Sequence, residues 1–281
     1  MLALAIIFSL IAPNLALTEQ QSKLMKRIVN GQPTKLFERP YQASLQVLYF
    51  GQWYHICGAS IIDVDRLLTA AHCLIFPVET MRVKVGLLDL TAPPNQYQQT
   101  IDIKAFKAHE NFSTVIVDGM PNDIGILYTK TPFHFNENVQ PVKIAPGGLT
   151  FDNSKCVISG WGKTSGTSAG SNILMEVAMT KITLKQCKEE FVPLGVAITD
   201  NAICVFDGEN PPGENPTACS GDSGGPMLCS HRRRDYLAGI TSFGLENCGG
   251  YRPSVYTRVA PYISWISKNK RAPNTQLQLE P

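Results

Sequence analysis

The sequence predicts an all-β protein, and three observations carry that prediction. From residue 28 onward the chain breaks into short runs rich in β-branched and aromatic residues, in which apolar and polar positions alternate. Gly, Pro and Asn turns punctuate these runs, as in antiparallel barrels or sandwiches. A convincing helical pattern occurs only near the C-terminus.

The strand-like runs follow in order: "ASLQVLY" (43–49), "ASIIDVDRLLTA" (59–70), "RVKVGLL" (82–88), "QTIDIKAF" (99–106), "CVISGWG" (156–162), "YLAGITSFG" (236–244) and "SVYTRVA" (254–260). The helix is "PYISWISKNK" (261–270), with Tyr262, Trp265 and Ile266 on one face behind Pro261. Beyond it, "RAPNTQLQLEP" (271–281) offers no apolar face and reads as a frayed tail.

At 281 residues the chain can bury a large core, and a formal charge of +2 gives no reason to expect nucleic acid or an anionic membrane as partner. The opening "MLALAIIFSLIAPNLAL" is apolar but too short to span a bilayer, and polar "TEQQSK" follows at once. It reads as a secretory signal (1–17) without a basic n-region; a buried first helix is the alternative. Residues 18–27 form a short propeptide ending in Arg27, and no later stretch is built to cross a membrane. Eight cysteines behind a signal favour four disulfides in an oxidising compartment. Zinc is the alternative, but close CxxC pairs are missing.

Three short motifs carry candidate chemistry. His72 lies in "LTAAHC", Asp123 leads the apolar run of "NDIGIL", and Ser223 sits among glycines in "GDSGGP". A serine hydroxyl attacks a peptide carbonyl effectively only when a base takes its proton and a buried carboxylate orients that base. Singly each motif also suits a structural histidine, a strand cap or a tight turn. Together, "IVNG", "TAAHC", "NDIGIL", "GWG", "GDSGGP" and "VYTRV" occur in family order, and from Ile28 to about Asn269 the chain resembles the chymotrypsin-like (trypsin-fold) serine peptidases.

That resemblance implies two packed six-stranded antiparallel β-barrels with a C-terminal helix, within a peptidase domain spanning 28–270. It implies His72 as general base, Asp123 as its orienting partner and Ser223 as nucleophile, with the N–H groups of Gly221 and Ser223 as the oxyanion hole. It also implies the disulfides Cys57–Cys73, Cys156–Cys229, Cys187–Cys204 and Cys219–Cys248. Cleavage after Arg27 would free the amine of Ile28 to pair with Asp222 and order the loop carrying Gly221 and Ser223. His55 in "YHICG" matches the residue that engages this acid in some zymogens of the family; a satisfied core histidine is the plain alternative. Lys26–Arg27 suits either a trypsin-like activator or a dibasic-cleaving one.

The pocket residues by resemblance are Thr217, Ser242, Gly244 and Ser254. Thr217 stands where the trypsin branch carries an aspartate that binds Lys or Arg, and an unpaired guanidinium buried there would be very costly. Gly244 leaves the mouth open while Ser254 narrows the far end, as in the chymotrypsin and elastase-2 branch, which prefers Leu, Met, Phe or Tyr. Glu246 at the rim reads as a solvated acid, though it could reach a basic substrate. Phe243 replaces a tryptophan usual in the family, and the loop 205–218 is longer than in the digestive archetypes. Leu87 stands where calcium-binding relatives place a carboxylate, so no metal is expected, and no cofactor is implied. "SHRRRDY" (230–236) reads as a solvated hairpin tip, with a docking patch as the alternative, and Asn111 in "NFS" is an N-glycosylation sequon.

The expected protein is therefore a secreted, monomeric serine endopeptidase made as a zymogen. Its partners would be protein or peptide substrates, the activating peptidase and protein inhibitors. A catalytically idle homologue acting as a binding or toxin-like protein, and a regulatory cascade peptidase, are the competing readings. Intact His72, Asp123, Ser223, Gly221 and Asp222 favour the enzyme.

Overall fold

The computed structural model describes residues 31–163, 170–208, 215–245, 248 and 250–273. Arg27, Ile28, Glu246, the signal and propeptide segments and residues 274–281 lie outside the described residues.

A two-residue strand β1 (Gln32–Pro33) leads into the first barrel. Its strands are β2 (Gln42–Tyr49), β3 (Gln52–Asp63), β4 (Arg66–Thr69), β5 (Met81–Val85), β6 (Gln99–Ala108) and β7 (Gly125–Thr129). They close in the antiparallel order β2-β3-β4-β7-β6-β5. Period-two alternation sets the inside of the barrel: β5 buries Met81, Val83 and Val85 and turns Arg82 and Lys84 outward. The run 59–70, read above as one strand, is two, because the chain turns at Val64 and Asp65. The Val64 N–H donates to Asp63 Oδ1 at 2.8 Å, and Asp63 also pairs with Arg66 across the turn.

The second barrel contains β8 (Lys155–Gly160), β9 (Met175–Ile182), β10 (Ala202–Val205), β11 (Pro226–His231), β12 (Arg234–Phe243) and β13 (Ser254–Arg258). The order β9-β10-β13-β12-β11-β8 closes through β8–β9 pairing, and β1 adds to β9 from the other half. Residues 230–236 form the exposed β11–β12 tip, with Arg232 (φ 50) and Arg233 (φ 61) making the turn.

One helix was not foreseen, α1 (Leu184–Phe191), which buries only Cys187 and Phe191 and therefore lacks a strong apolar stripe. Its legible signal is a capping box, in which Thr183 accepts from the Gln186 N–H and Gln186 reaches back to the Thr183 N–H. The C-terminal helix α2 (Ile263–Lys268) follows a 3₁₀ turn at Ala260–Tyr262. It buries Tyr262 and Ile266 against the first barrel, and each such side chain contributes roughly 1.5–3 kcal/mol of burial free energy. That cluster also takes in Leu228, Leu237, Ile240 and Val259, so the two halves share a core. Disulfides join Cys57 to Cys73, Cys156 to Cys229, Cys187 to Cys204 and Cys219 to Cys248. Among the described residues no helix is long and apolar enough to cross a membrane.

Candidate active site

The site forms where the barrels meet. His72 stands in a 3₁₀ turn (Ala71–Cys73) just after β4, pinned by the neighbouring Cys57–Cys73 disulfide. Asp123 precedes β7 and follows Asn122, which sits in the left-handed region at φ 61. The carboxylate is fully buried, so its charge persists only with full hydrogen bonding. Asp123 Oδ1 accepts from the His72 backbone N–H at 3.0 Å and Oδ2 accepts from His72 Nδ1 at 2.7 Å. A carboxylate can only accept, so Nδ1 carries the hydrogen, and in the neutral ring Nε2 keeps its lone pair.

The second barrel braces this acid. Ser242 Oγ donates to Asp123 Oδ2 at 2.6 Å, and Thr257 Oγ1 donates to the Asp123 carbonyl at 2.8 Å. Sequence reading placed Ser242 in the substrate pocket; it lines that pocket and also holds Asp123, a role no local motif reveals across 119 positions.

Ser223 lies in a backbone-wound turn between the Cys219 carbonyl, which accepts from Asp222 N–H, and the Gly225 N–H, which donates to the Asp222 carbonyl. The Gly58 N–H of β3 donates to the Ser223 carbonyl at 2.8 Å. Glycine is required here: Gly224 has φ +72, and a Cβ on it would lie 2.2 Å from Thr69 Oγ1 and 2.6 Å from the Gly58 carbonyl. Gly221 has φ +99, and its Cβ would meet Gly162 Cα at 2.9 Å.

Asp222 is buried, accepting from Gly162 N–H and Cys219 N–H, both at 2.9 Å. Burial pushes its carboxyl up to about 6, against the two N–H groups that favour the charge. In the structure His55 bonds the backbone beside this carboxylate and not the carboxylate itself. Its Nε2 bonds the Gly221 carbonyl at 2.9 Å and its Nδ1 bonds Ser44 Oγ at 2.8 Å. Burial pushes its imidazole down to about 4.

Beside Ser223 opens a cavity of about 260 Å³, walled by Ala218–Ser220, Thr241–Leu245 and Cys248. Gly244 is on that wall, whereas Thr217 and Ser254 lie outside the lining. Both are buried, and their hydroxyls bond each other at 2.9 Å, while Ser254 Oγ also accepts from the Ala218 N–H at 3.3 Å. Phe243 packs edge-on against Phe191 of α1. Leu87 is buried with Trp161 and Leu174. Asn111 is exposed.

The sequence profile described as Trypsin matches residues 28–266. The chain belongs to the trypsin family. As a member of the trypsin family it is a serine endopeptidase, and it covers nearly the whole length of the relatives that follow. It is similar to the fibrinolytic enzyme, isozyme C, of Lumbricus rubellus, with 36% identity over 87% of this chain and 100% of the relative. It is 32% identical to Trypsin-1 of Astacus astacus, over 86% and 99% of the two chains. A chymotrypsin-like serine proteinase of Haliotis rufescens is 30% identical over 87% and 92%.

Proposed function

We propose that the protein is a secreted zymogen whose mature form hydrolyses peptide bonds after Leu, Met, Phe or Tyr, with His72 as general base, Asp123 as orienting acid and Ser223 as nucleophile. The Gly221 and Ser223 N–H groups stabilise the oxyanion as the tetrahedral intermediate forms. His72 then returns the proton to the leaving amine, and water repeats the sequence on the acyl-enzyme. Residues 1–17 direct export and are removed, and 18–27 are the propeptide. Residues 28–270 are the working domain, 271–281 a tail, and Asn111 a site for a glycan. Cleavage after Arg27 by a trypsin-like or dibasic-cleaving peptidase starts activity, and the mature enzyme works as a monomer subject to protein inhibitors.

The Thr217–Ser254 hydrogen bond supports the apolar preference. The hydroxyl that replaces an aspartate is already engaged and offers no counter-ion, so a lysyl or arginyl head group would lose its water without compensation. The described lining of the cavity is neutral. The test is to incubate pure zymogen alone, sequence any new N-terminus, then assay paired leucyl, phenylalanyl and arginyl substrates after activation. The zymogen should stay intact and the arginyl substrate should be the slowest. Prompt self-cleavage at Ile28 with arginyl preference would place control of the pocket with another acid, such as Glu246. Thr217→Asp should shift preference only partly towards basic residues, because Ser254 still holds position 217 and the Ala218 N–H of the cavity wall.

A further inference from the structure

Four side chains of the first barrel run in a line from its outer surface to the Gly221 carbonyl. Arg82 on β5 lies 4.0 Å over the Trp53 ring, and its Nε–H donates to Gln46 Oε1 at 3.0 Å. Gln46 Nε2 donates to Ser44 Oγ at 3.3 Å, Ser44 bonds His55 Nδ1 at 2.8 Å, and His55 Nε2 bonds the Gly221 carbonyl at 2.9 Å. Gln46 and Ser44 are buried, and the β2–β3 ladder shifts register between Leu45 and Gln46.

The ends of the line fix every direction within it. A carbonyl only accepts, so His55 carries its hydrogen on Nε2 and leaves Nδ1 bare. Ser44 must then donate to Nδ1, which leaves its oxygen to accept from Gln46. Arginine only donates, so the Gln46 amide must turn its oxygen outward to Arg82. Four donors therefore point the same way and end on the Gly221 carbonyl, and bonds aligned in this sense polarise and strengthen one another. Glycine adopts the φ of +99° readily but is not confined to it, so a hydrogen bond on its carbonyl restricts the residue that ends the line.

We propose that Gln46 and Arg82 are positioning residues for the reaction, acting through Ser44 and His55 to hold Gly221 so that its N–H aims at the oxyanion. The proposal rests on the reading of Gly221 as an oxyanion donor. It predicts that a change on the barrel wall, remote from the cavity, lowers turnover without weakening substrate binding.

Gln46→Glu tests it. The carboxylate keeps the size of the side chain and still accepts from Arg82, but cannot donate to Ser44. It draws the Ser44 hydroxyl towards itself and away from His55. Arg82→Met, at the outer end, is a second variant should the first fail to fold. Each is activated and assayed on the amide substrate that wild type cleaves fastest, then titrated with a peptidyl boronate, whose tetrahedral adduct on Ser223 loads the oxyanion hole, and with a product peptide, which does not. Losing an oxyanion donor outright costs about 10²–10³ in rate, so a misaimed one should lower kcat by about 5- to 20-fold, with KM within about twofold. Boronate affinity should fall by the same factor and product affinity should hold. Unchanged kcat and boronate affinity in a folded variant overturn the proposal, as does a change in KM alone or an equal loss for boronate and product. A folded, processed wild type that neither turns over nor forms the adduct would bring down the assignment of Ser223 and Gly221, and this inference with it.

Discussion

Ser242 Oγ and His72 Nδ1 donate to the same oxygen, Asp123 Oδ2, at 2.6 and 2.7 Å. The second barrel thus holds the acid that orients a histidine of the first. Ser242→Ala leaves a buried carboxylate short of one donor, and hydrogen bonds to charged groups are worth about 1.5–3 kcal/mol. Unfolding free energy should fall by about 2 kcal/mol and kcat by roughly tenfold, with KM little changed. Denaturant titration and steady-state kinetics on the activated variant check both; full activity would show that His72 and the backbone suffice to place Asp123.

His55 makes acid stability predictable. Its folded pKa, pushed down to about 4 by burial, lies below the 6.5 of a free imidazole, so the unfolded chain takes up the proton first. The stability this neutral ring contributes is present above pH 6.5 and is lost as pH falls from there towards 4. The difference in unfolding free energy between wild type and His55→Gln should shrink by roughly 3 kcal/mol across that window. A constant difference would mean that His55 binds its proton equally well in the folded and unfolded chain.

Asp222 should behave oppositely before and after processing. With its pKa raised to about 6, the folded carboxyl binds a proton before the unfolded one does, so stability falls as pH rises from about 4 to about 6. Pairing with the Ile28 amine would lower that pKa and reverse the slope, so that stability is lost as pH falls. Comparing wild type with Asp222→Asn from pH 4 to pH 7, before and after cleavage at Arg27, should show the reversal. Equal slopes would rule out the ion pair.

Tyr262 connects the C-terminal helix to the acid. Its hydroxyl donates to Asn122 Oδ1 at 3.0 Å, directly before Asp123, and accepts from Asn201 at 3.4 Å. Tyr262→Phe should cost about 1 kcal/mol of stability and lower kcat by no more than about threefold, because the Asp123–His72 bonds remain. A larger rate loss at unchanged stability would give Tyr262 a greater part in placing Asp123.

The candidate residues were readable only from several short motifs taken together in chain order, since none of those holding His72, Asp123 and Ser223 is distinctive singly. The structure brings His72 and Asp123 within hydrogen-bonding distance. Strands with clean alternation, such as β5 and β6, were equally readable. α1 escaped because two buried side chains in eight residues make no stripe, and the β3–β4 turn escaped because an Asp side chain bends a continuous apolar run. Contacts between distant segments, Ser242 with Asp123 and His55 with Gly221, have no local signature at all. The bond between the Thr217 and Ser254 hydroxyls likewise joins positions 37 apart and has no local signature.

The division of the site between barrels bears on how a cell can make such a protein safely. His72 and Asp123 leave the ribosome with the first half, but Ser223 and Ser242 follow roughly a hundred residues later, and Thr257 of β13 later still. On the proposed roles, a growing chain holds a base and an acid before it holds their nucleophile. The Gly58–Ser223 backbone bond can form only when both halves exist, so the proposed site is assembled only after synthesis has passed well into the second half. Birth order is in this sense an earlier safeguard than any propeptide.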